Sequence, residues 1–141
     1  MSRDASADHP IHEVLRRRWS PCAFDTEREV AEGDLRALGL AERSFAHNGK
    51  DNKAAFHDLG AASASLSFEA TARGLDVHKM IGIEPDKARE EFAIPESVEP
   101  FTGLAIGYDG TGAGLPQASA GRDMRARERS SLDEILLCGG F

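Results

Sequence analysis

Two arginine-rich segments near opposite ends of the sequence are the residues best suited to bind an anion. RRRWS covers Arg16–Ser20, and RARER covers Arg125–Arg129. A guanidinium can donate two parallel hydrogen bonds to a phosphate, and a serine hydroxyl can add another. Basic clusters are more often solvated surface or ion-pair partners of acidic residues, so spacing alone leaves both interpretations open.

Composition restricts where such an anion site can lie. The chain has 141 residues, 24 of them acidic and 17 basic, and a formal charge of -7. An acidic protein attracts neither nucleic acid nor anionic membrane over its whole surface, so we expect neither partner and a local anion site.

The length fits one domain over residues 1–141. We expect a disordered tail at 1–8 and, without an apolar leader or span, a cytoplasmic protein.

Histidine and cysteine give little support for other chemistry. His47, His57 and His78 are not at ligand spacing, and Cys22 and Cys138 form no CxxC motif. The sequence therefore predicts no metal site and two reduced thiols. It contains no recognisable triad or carboxylate pair, so we name no catalytic residue.

The first half of the chain predicts short elements followed by a long helix. A helix begins near Pro10 and breaks before Pro21, and a short second helix carries Leu35 and Leu38 and ends at Gly39. GLAERSF is strand-like, and AHNGKDN after it has the Asn-Gly signature of a turn. A long helix over Lys53–Arg73 ends at Gly74. Small residues in its first half favour close approach of another backbone, as in a central helix or a subunit interface.

The second half predicts a sheet with short helices. LDVHKMIGI is strand-like, and a helix starts at Pro85. FTGLAIGY is suited to a central strand. A glycine-rich loop covers residues 109–121, and Ser131 and Glu134 form a capping box for a last short helix. Gly82 inside an apolar run indicates a bulge, a bend or the close approach of another group.

The order of these segments resembles the nitroreductase family of FMN-dependent oxidoreductases. The resemblance rests on IHEVLRRRWSPCAFD at 11–25, DLRAL at 34–38, the block from Phe45 to Gly110, and RERSSLDEI at 127–135. Each motif is modest, but together they cover most of the chain in the family's order. A family segment of several dozen residues is missing near 38–40.

The resemblance implies an α+β fold with a reduced central sheet flanked by helices and a long central helix at a homodimer interface. It also implies FMN as cofactor, NAD(P)H as co-substrate and a small-molecule electron acceptor. A shortened relative that has lost the flavin and serves as a dimeric binding or assembly module is the alternative.

The same resemblance assigns cofactor-binding roles to individual residues. Three residues, Met80, Ile81 and Gly82, would run along the flavin ring, and Gly82 would let the backbone reach it. The phosphate and ribityl chain would lie against Arg18, Trp19, Ser20, Arg127 and Arg129. The chain departs from the family pattern at Trp19, at Cys22, where a basic residue is usual, and at Ser130–Ser131.

Overall fold

The computed structural model describes residues 4–30, 37–110 and 126–135 of the chain. In chain order, the elements are α1 (Glu13–Arg17), β1 (Ala37–Glu42), α2 (Ala55–Ala72), β2 (Asp76–Met80), α3 (Pro85–Glu91), β3 (Val98–Gly107) and α4 (Leu132–Ile135). This is the predicted α+β class. The glycine-rich loop beyond Gly110 and the predicted helix position at Leu35 lie outside the described residues.

The three strands form one antiparallel sheet in the order β1-β3-β2. The apolar run FTGLAIGY lies in the central strand β3, as the sequence predicts, since a strand with two neighbours buries more of its surface than an edge strand. Leu75, Val77, Leu104 and Ala70 of α2 form the hydrophobic core. Burying a side chain such as Val77 contributes about 1.5 to 3 kcal/mol.

Helix α2 packs against β1, β2 and α1 through a face of small residues. Ser63, Ser67 and Thr71 are buried on this face. The Ser67 and Thr71 hydroxyls donate to the carbonyls four residues earlier, at 2.7 and 2.8 Å, so their burial leaves no unsatisfied donor. Gly74, at φ +80°, follows the helix end. The predicted long helix is confirmed within two residues at each end.

Residues near the N-terminus differ from the expected tail and helix. Ala5 is buried, and its N–H donates to the Arg16 carbonyl at 3.0 Å, so residues 4–8 are packed rather than free. Helix α1 is shorter than predicted and begins after His12, whose side chain accepts from the Val14 N–H. The short helix predicted to end at Gly39 is wrong at its C-terminal end, because Leu38 and Gly39 belong to strand β1.

Strand β1 is joined to β3 with one irregularity. The pairing shifts between Gly39 and Leu40, so that Phe101 of β3 is the extra residue of a bulge. A Cβ at Gly39 would clash with the Thr102 methyl group, so close packing explains the glycine. The Phe101 ring packs on Phe56 of α2 at a centroid distance of 4.6 Å, which ties the bulge to the start of that helix.

The later elements agree with the sequence prediction. Helix α3 starts with Pro85 at its first position, and the Ser131–Glu134 capping box is formed at α4. None of the described helices combines the length and apolar character that a bilayer crossing needs.

Candidate functional site

The end of α1 is held by the C-terminal arginine segment. The Arg127 guanidinium donates to the Arg18 carbonyl, and Nη2 of Arg129 donates to the Leu15 carbonyl at 3.2 Å. The last carbonyls of a helix have no partner within it, so basic side chains can satisfy them. Arg127 and Arg129 therefore cap α1 and position the chain that carries Arg18.

A short backbone pairing places these two arginines. Ser6 and Glu128 form a parallel bridge in which the Ser6 N–H donates to the Arg127 carbonyl and the Arg129 N–H donates to the Ser6 carbonyl, both at 3.0 Å. Ala5 meanwhile bonds to Arg16 of α1. The segment at 4–8 thus joins the two arginine-rich segments, which is why they meet in space although they are more than 100 residues apart.

Within RRRWS, only Arg18 avoids an acidic partner. Arg16 lies 3.4 Å from Asp4, and Arg17 lies 3.3 Å from Glu13. These two arginines behave as the ordinary surface pairs that the sequence allowed. Arg18 is half-buried and forms no ion pair with an acidic residue of the described ranges.

Four cations gather where the arginine segments meet β2. Burial lowers the pKa of Arg18, and the charge of Arg129 lowers it further. Burial and then the charge of Arg18 lower the pKa of Lys79. Burial also lowers the pKa of Arg127, as do Arg129 and Arg18, while Asp4 and Asp76 act in the opposite direction. Arg18 and Arg127 are half-buried, while Lys79 and Arg129 are exposed. These four side chains, called here the basic cluster, repel one another, so the cluster favours a bound anion.

Ser20 lies beside the basic cluster. Its hydroxyl is 3.1 Å from Nδ1 of His78 on β2. Trp19 is not brought into the cluster with Arg18 and Ser20. Its side chain is buried and lines a separate recess with Thr71 and Leu75. Trp19 thus contributes to packing beside Thr71 and Leu75, and its cofactor contact stays a prediction.

The Met80–Gly82 segment begins at the last residue of β2 and continues beyond the strand. The Met80 carbonyl accepts a hydrogen bond from the Thr102 hydroxyl at 3.0 Å, which fixes the strand end. Ile81 is 79% exposed. A Cβ at Gly82 would meet no described atom within 4 Å, so the fold itself does not require glycine there. The open space at Gly82 and the exposed apolar side chain of Ile81 together could accommodate the ring system of a planar ligand.

The structure brings Arg127 and Arg129 to the end of α1 beside Arg18, and it adds Lys79 on β2, which sequence reasoning missed. The sequence signal for Lys79 is a basic residue within the strand-like stretch LDVHKM. His47 lies near the Phe45 ring and His57 beside Asp58, so neither joins the basic cluster. Within the described ranges, no group of three or more histidine, cysteine or acidic side chains is arranged to hold a metal ion.

Comparison with known proteins identifies the fold. No protein-family model matches the chain. An uncharacterized 15.4 kDa protein in the ask 5′ region of Mycolicibacterium smegmatis is 38% identical over 97 residues, which are 67% of this chain and 65% of that protein. The aligned part is thus somewhat less than two thirds of the relative's length.

Two solved structures match over nearly their whole length. An oxidoreductase containing FMN is 22% identical, with a TM-score of 0.79 over 100% of this chain and 98% of that chain. A nitroreductase family protein from Clostridium difficile 630 is 17% identical, with a TM-score of 0.59 over 92% and 98%. The chain has the α+β fold of the nitroreductase family, in a form whose length these two proteins share.

Proposed function

We propose that the chain binds FMN and is an oxidoreductase of the nitroreductase type. The observation that carries the proposal is the basic cluster, in which Arg18 and Lys79 have no acidic partner among the described residues although the protein as a whole has a charge of -7. The likeness to a solved oxidoreductase that contains FMN supports the same cofactor.

The residues present fit the two ends of this cofactor. Arg18 and Ser20 supply donors for a phosphate or ribityl hydroxyl, while Arg127 and Arg129 fix the backbone on which Arg18 lies and add positive charge. Met80, Ile81 and Gly82 offer an apolar edge and an open backbone for a ring system. One chain thus provides a charged region and an apolar region joined through β2.

When bound, the flavin would supply the hydride chemistry, taking reducing equivalents from NAD(P)H and passing them to nitroaromatic, quinone or similar electron-poor acceptors. The protein's part is to bind and orient the cofactor and acceptor. This assignment calls on no nucleophile or general acid of the chain. A homodimer formed through α2 completes the proposal.

A flavin-free dimeric binding module is the second candidate. It is favoured because several hydrogen-bond donors of the candidate site already bond to other groups of the protein. Arg127 and Arg129 bond to carbonyls of the α1 end, and Ser20 bonds to His78. Fewer donors are then free for a phosphate than the residue types alone imply.

Titration of the purified, flavin-depleted protein with FMN and riboflavin separates the candidates. We expect FMN to bind near one equivalent per chain and more tightly than riboflavin, since only FMN carries the phosphate. Oxidation of NADH or NADPH by the FMN-loaded protein with a quinone acceptor then tests the reaction. Binding of neither flavin would exclude the oxidoreductase and leave the flavin-free module.

A further inference from the structure

His78 joins two segments that are far apart in sequence. The rings of His9, His47 and His57 lie against the side chains of adjacent residues, at 2.6, 2.8 and 3.1 Å. Nδ1 of His78 instead lies 3.1 Å from the hydroxyl of Ser20, which is 58 residues earlier in the chain. This contact depends on the tertiary structure, so the position of the imidazole decides where the Ser20 hydroxyl is held.

The side chain of His78 leaves β2 on the face of the strand opposite to the hydrophobic core. Val77, one residue earlier, is 1% exposed and belongs to that core. Because successive side chains of a strand point to opposite faces, His78 and Met80 share the other face. Met80 begins the segment proposed to contact the flavin ring. The contact with Ser20 therefore lies on the same face of β2 as the start of that segment.

The Ser20 hydroxyl is open to a ligand. Ser20 is exposed, whereas His78 is half-buried. Within the described ranges, the hydroxyl has His78 as its hydrogen-bond partner. A serine hydroxyl has one proton and two lone pairs, so one bond to His78 leaves capacity for a ligand. What the hydroxyl offers to the ligand depends on which atom of the Ser20–His78 pair is the donor.

Two placements of the hydrogen atom fit the 3.1 Å separation. If the Ser20 hydroxyl donates to an unprotonated Nδ1, its proton is used, and it can only accept a hydrogen bond from a ligand. If Nδ1 carries the proton and donates to Oγ, the Ser20 O–H is free to donate. The oxygens of a phosphate dianion accept hydrogen bonds and cannot donate them. A phosphate in contact with Ser20 therefore requires the second placement.

We infer that His78 is the positioning residue of Ser20: the Nδ1–H of its imidazole donates to Oγ and directs the hydroxyl proton of Ser20 to the phosphate of the ligand. The inference rests on the proposed FMN function and adds to it a residue outside both arginine-rich segments. His78 acts on the phosphate through Ser20 and not by direct contact. The proton on Nδ1 thereby makes Ser20 a donor that favours FMN over riboflavin.

Titrations of two His78 variants with FMN and riboflavin test this role. We expect His78→Leu to bind FMN roughly threefold to tenfold more weakly, as for the loss of one hydrogen bond, and to bind riboflavin nearly as well as the unaltered protein. His78→Asn should keep most of the FMN affinity, because its side-chain amide can supply an N–H donor to Oγ. His57→Leu is the control, since the exposed ring of His57 contacts only the adjacent Asp58.

Ser20→Ala decides whether His78 acts through the serine. In the Ser20→Ala protein, adding His78→Leu should cause no further loss of FMN affinity, since the two changes remove the same interaction. The same loss with and without Ser20 would overturn the inference, and so would equal weakening of FMN and riboflavin.

Nitrogen NMR of the histidine rings measures the position of the proton and separates this inference from the proposed function. In the complex with FMN or with inorganic phosphate, Nδ1 of His78 should give the signal of a protonated ring nitrogen, which His78→Leu should lack. An unprotonated Nδ1 in a protein that binds FMN would overturn the inference and leave the function. If neither flavin binds but phosphate produces the protonated signal, the positioning role stands and the FMN function fails. If phosphate and both flavins fail to bind, both are rejected.

Discussion

The Ser20 hydroxyl lies 3.1 Å from Nδ1 of His78, and this contact joins the segment after α1 to strand β2. Arg18 precedes Ser20 by two residues and Lys79 directly follows His78, so the contact places side by side the two segments that carry these cations. The capping of α1 by Arg127 and Arg129 fixes the same segment from the other side. The basic cluster is therefore built by contacts between three distant parts of the chain.

Replacing Arg18 by alanine should weaken FMN binding roughly tenfold to hundredfold, because a charge-assisted hydrogen bond contributes about 1.5 to 3 kcal/mol. Riboflavin should lose much less, and parallel fluorescence titrations of the two ligands measure the difference. Arg17→Ala is the control, since Arg17 is exposed and pairs with Glu13. Equal losses for both flavins would mean that Arg18 supports the fold rather than the phosphate.

Arg129→Ala should lower the free energy of unfolding as well as FMN affinity, since Arg129 caps the Leu15 carbonyl. A hydrogen bond of this type contributes about 0.5 to 1.5 kcal/mol, and urea denaturation can measure the loss. Arg129→Lys should retain most of the charge-dependent FMN binding. If Arg129→Ala unfolds like the unaltered protein, the capping role is wrong.

Gly82→Val should leave the thermal unfolding temperature nearly unchanged but weaken FMN and riboflavin by the same factor, at least about tenfold for a loss of 1.4 kcal/mol. The added side chain meets no described atom within 4 Å and would occupy the space proposed for the ring. Gly107→Val provides the contrast, because its Cβ would lie 2.8 Å from the Phe24 ring and should destabilise the protein. Unchanged flavin binding by Gly82→Val would place the ring elsewhere.

Ala62→Glu should disrupt the proposed homodimer, because Ala62 is exposed on α2, the helix through which the dimer is proposed to form. A charge on an apolar interface is desolvated without compensation. Sedimentation velocity of the unaltered protein and the variant measures the change, with Ser97→Glu, in an exposed turn, as control. A compact monomer in the unaltered protein would reject the dimer.

The sequence alone determined the elements that depend on local interactions. The spacing of apolar residues and the glycine at position 74 predict α2, Pro85 predicts the start of α3, and the Ser131–Glu134 pair predicts α4. Each signal lies within a few residues of the structure that it specifies, so periodicity and capping are enough. The apolar character of FTGLAIGY likewise predicts a strand with neighbours on both sides.

Only the tertiary structure decided which side chains form the candidate site. The segment that carries Arg18 lies against β2 through the Ser20–His78 contact, and Arg127 and Arg129 reach the end of α1 from the far end of the chain. Residues 4–8 are ordered by hydrogen bonds to Arg16 and Arg127, and Leu38 becomes part of a strand because β3 supplies its partner. These outcomes depend on contacts between residues far apart in the chain. A local sequence pattern does not predict the free energy of such contacts.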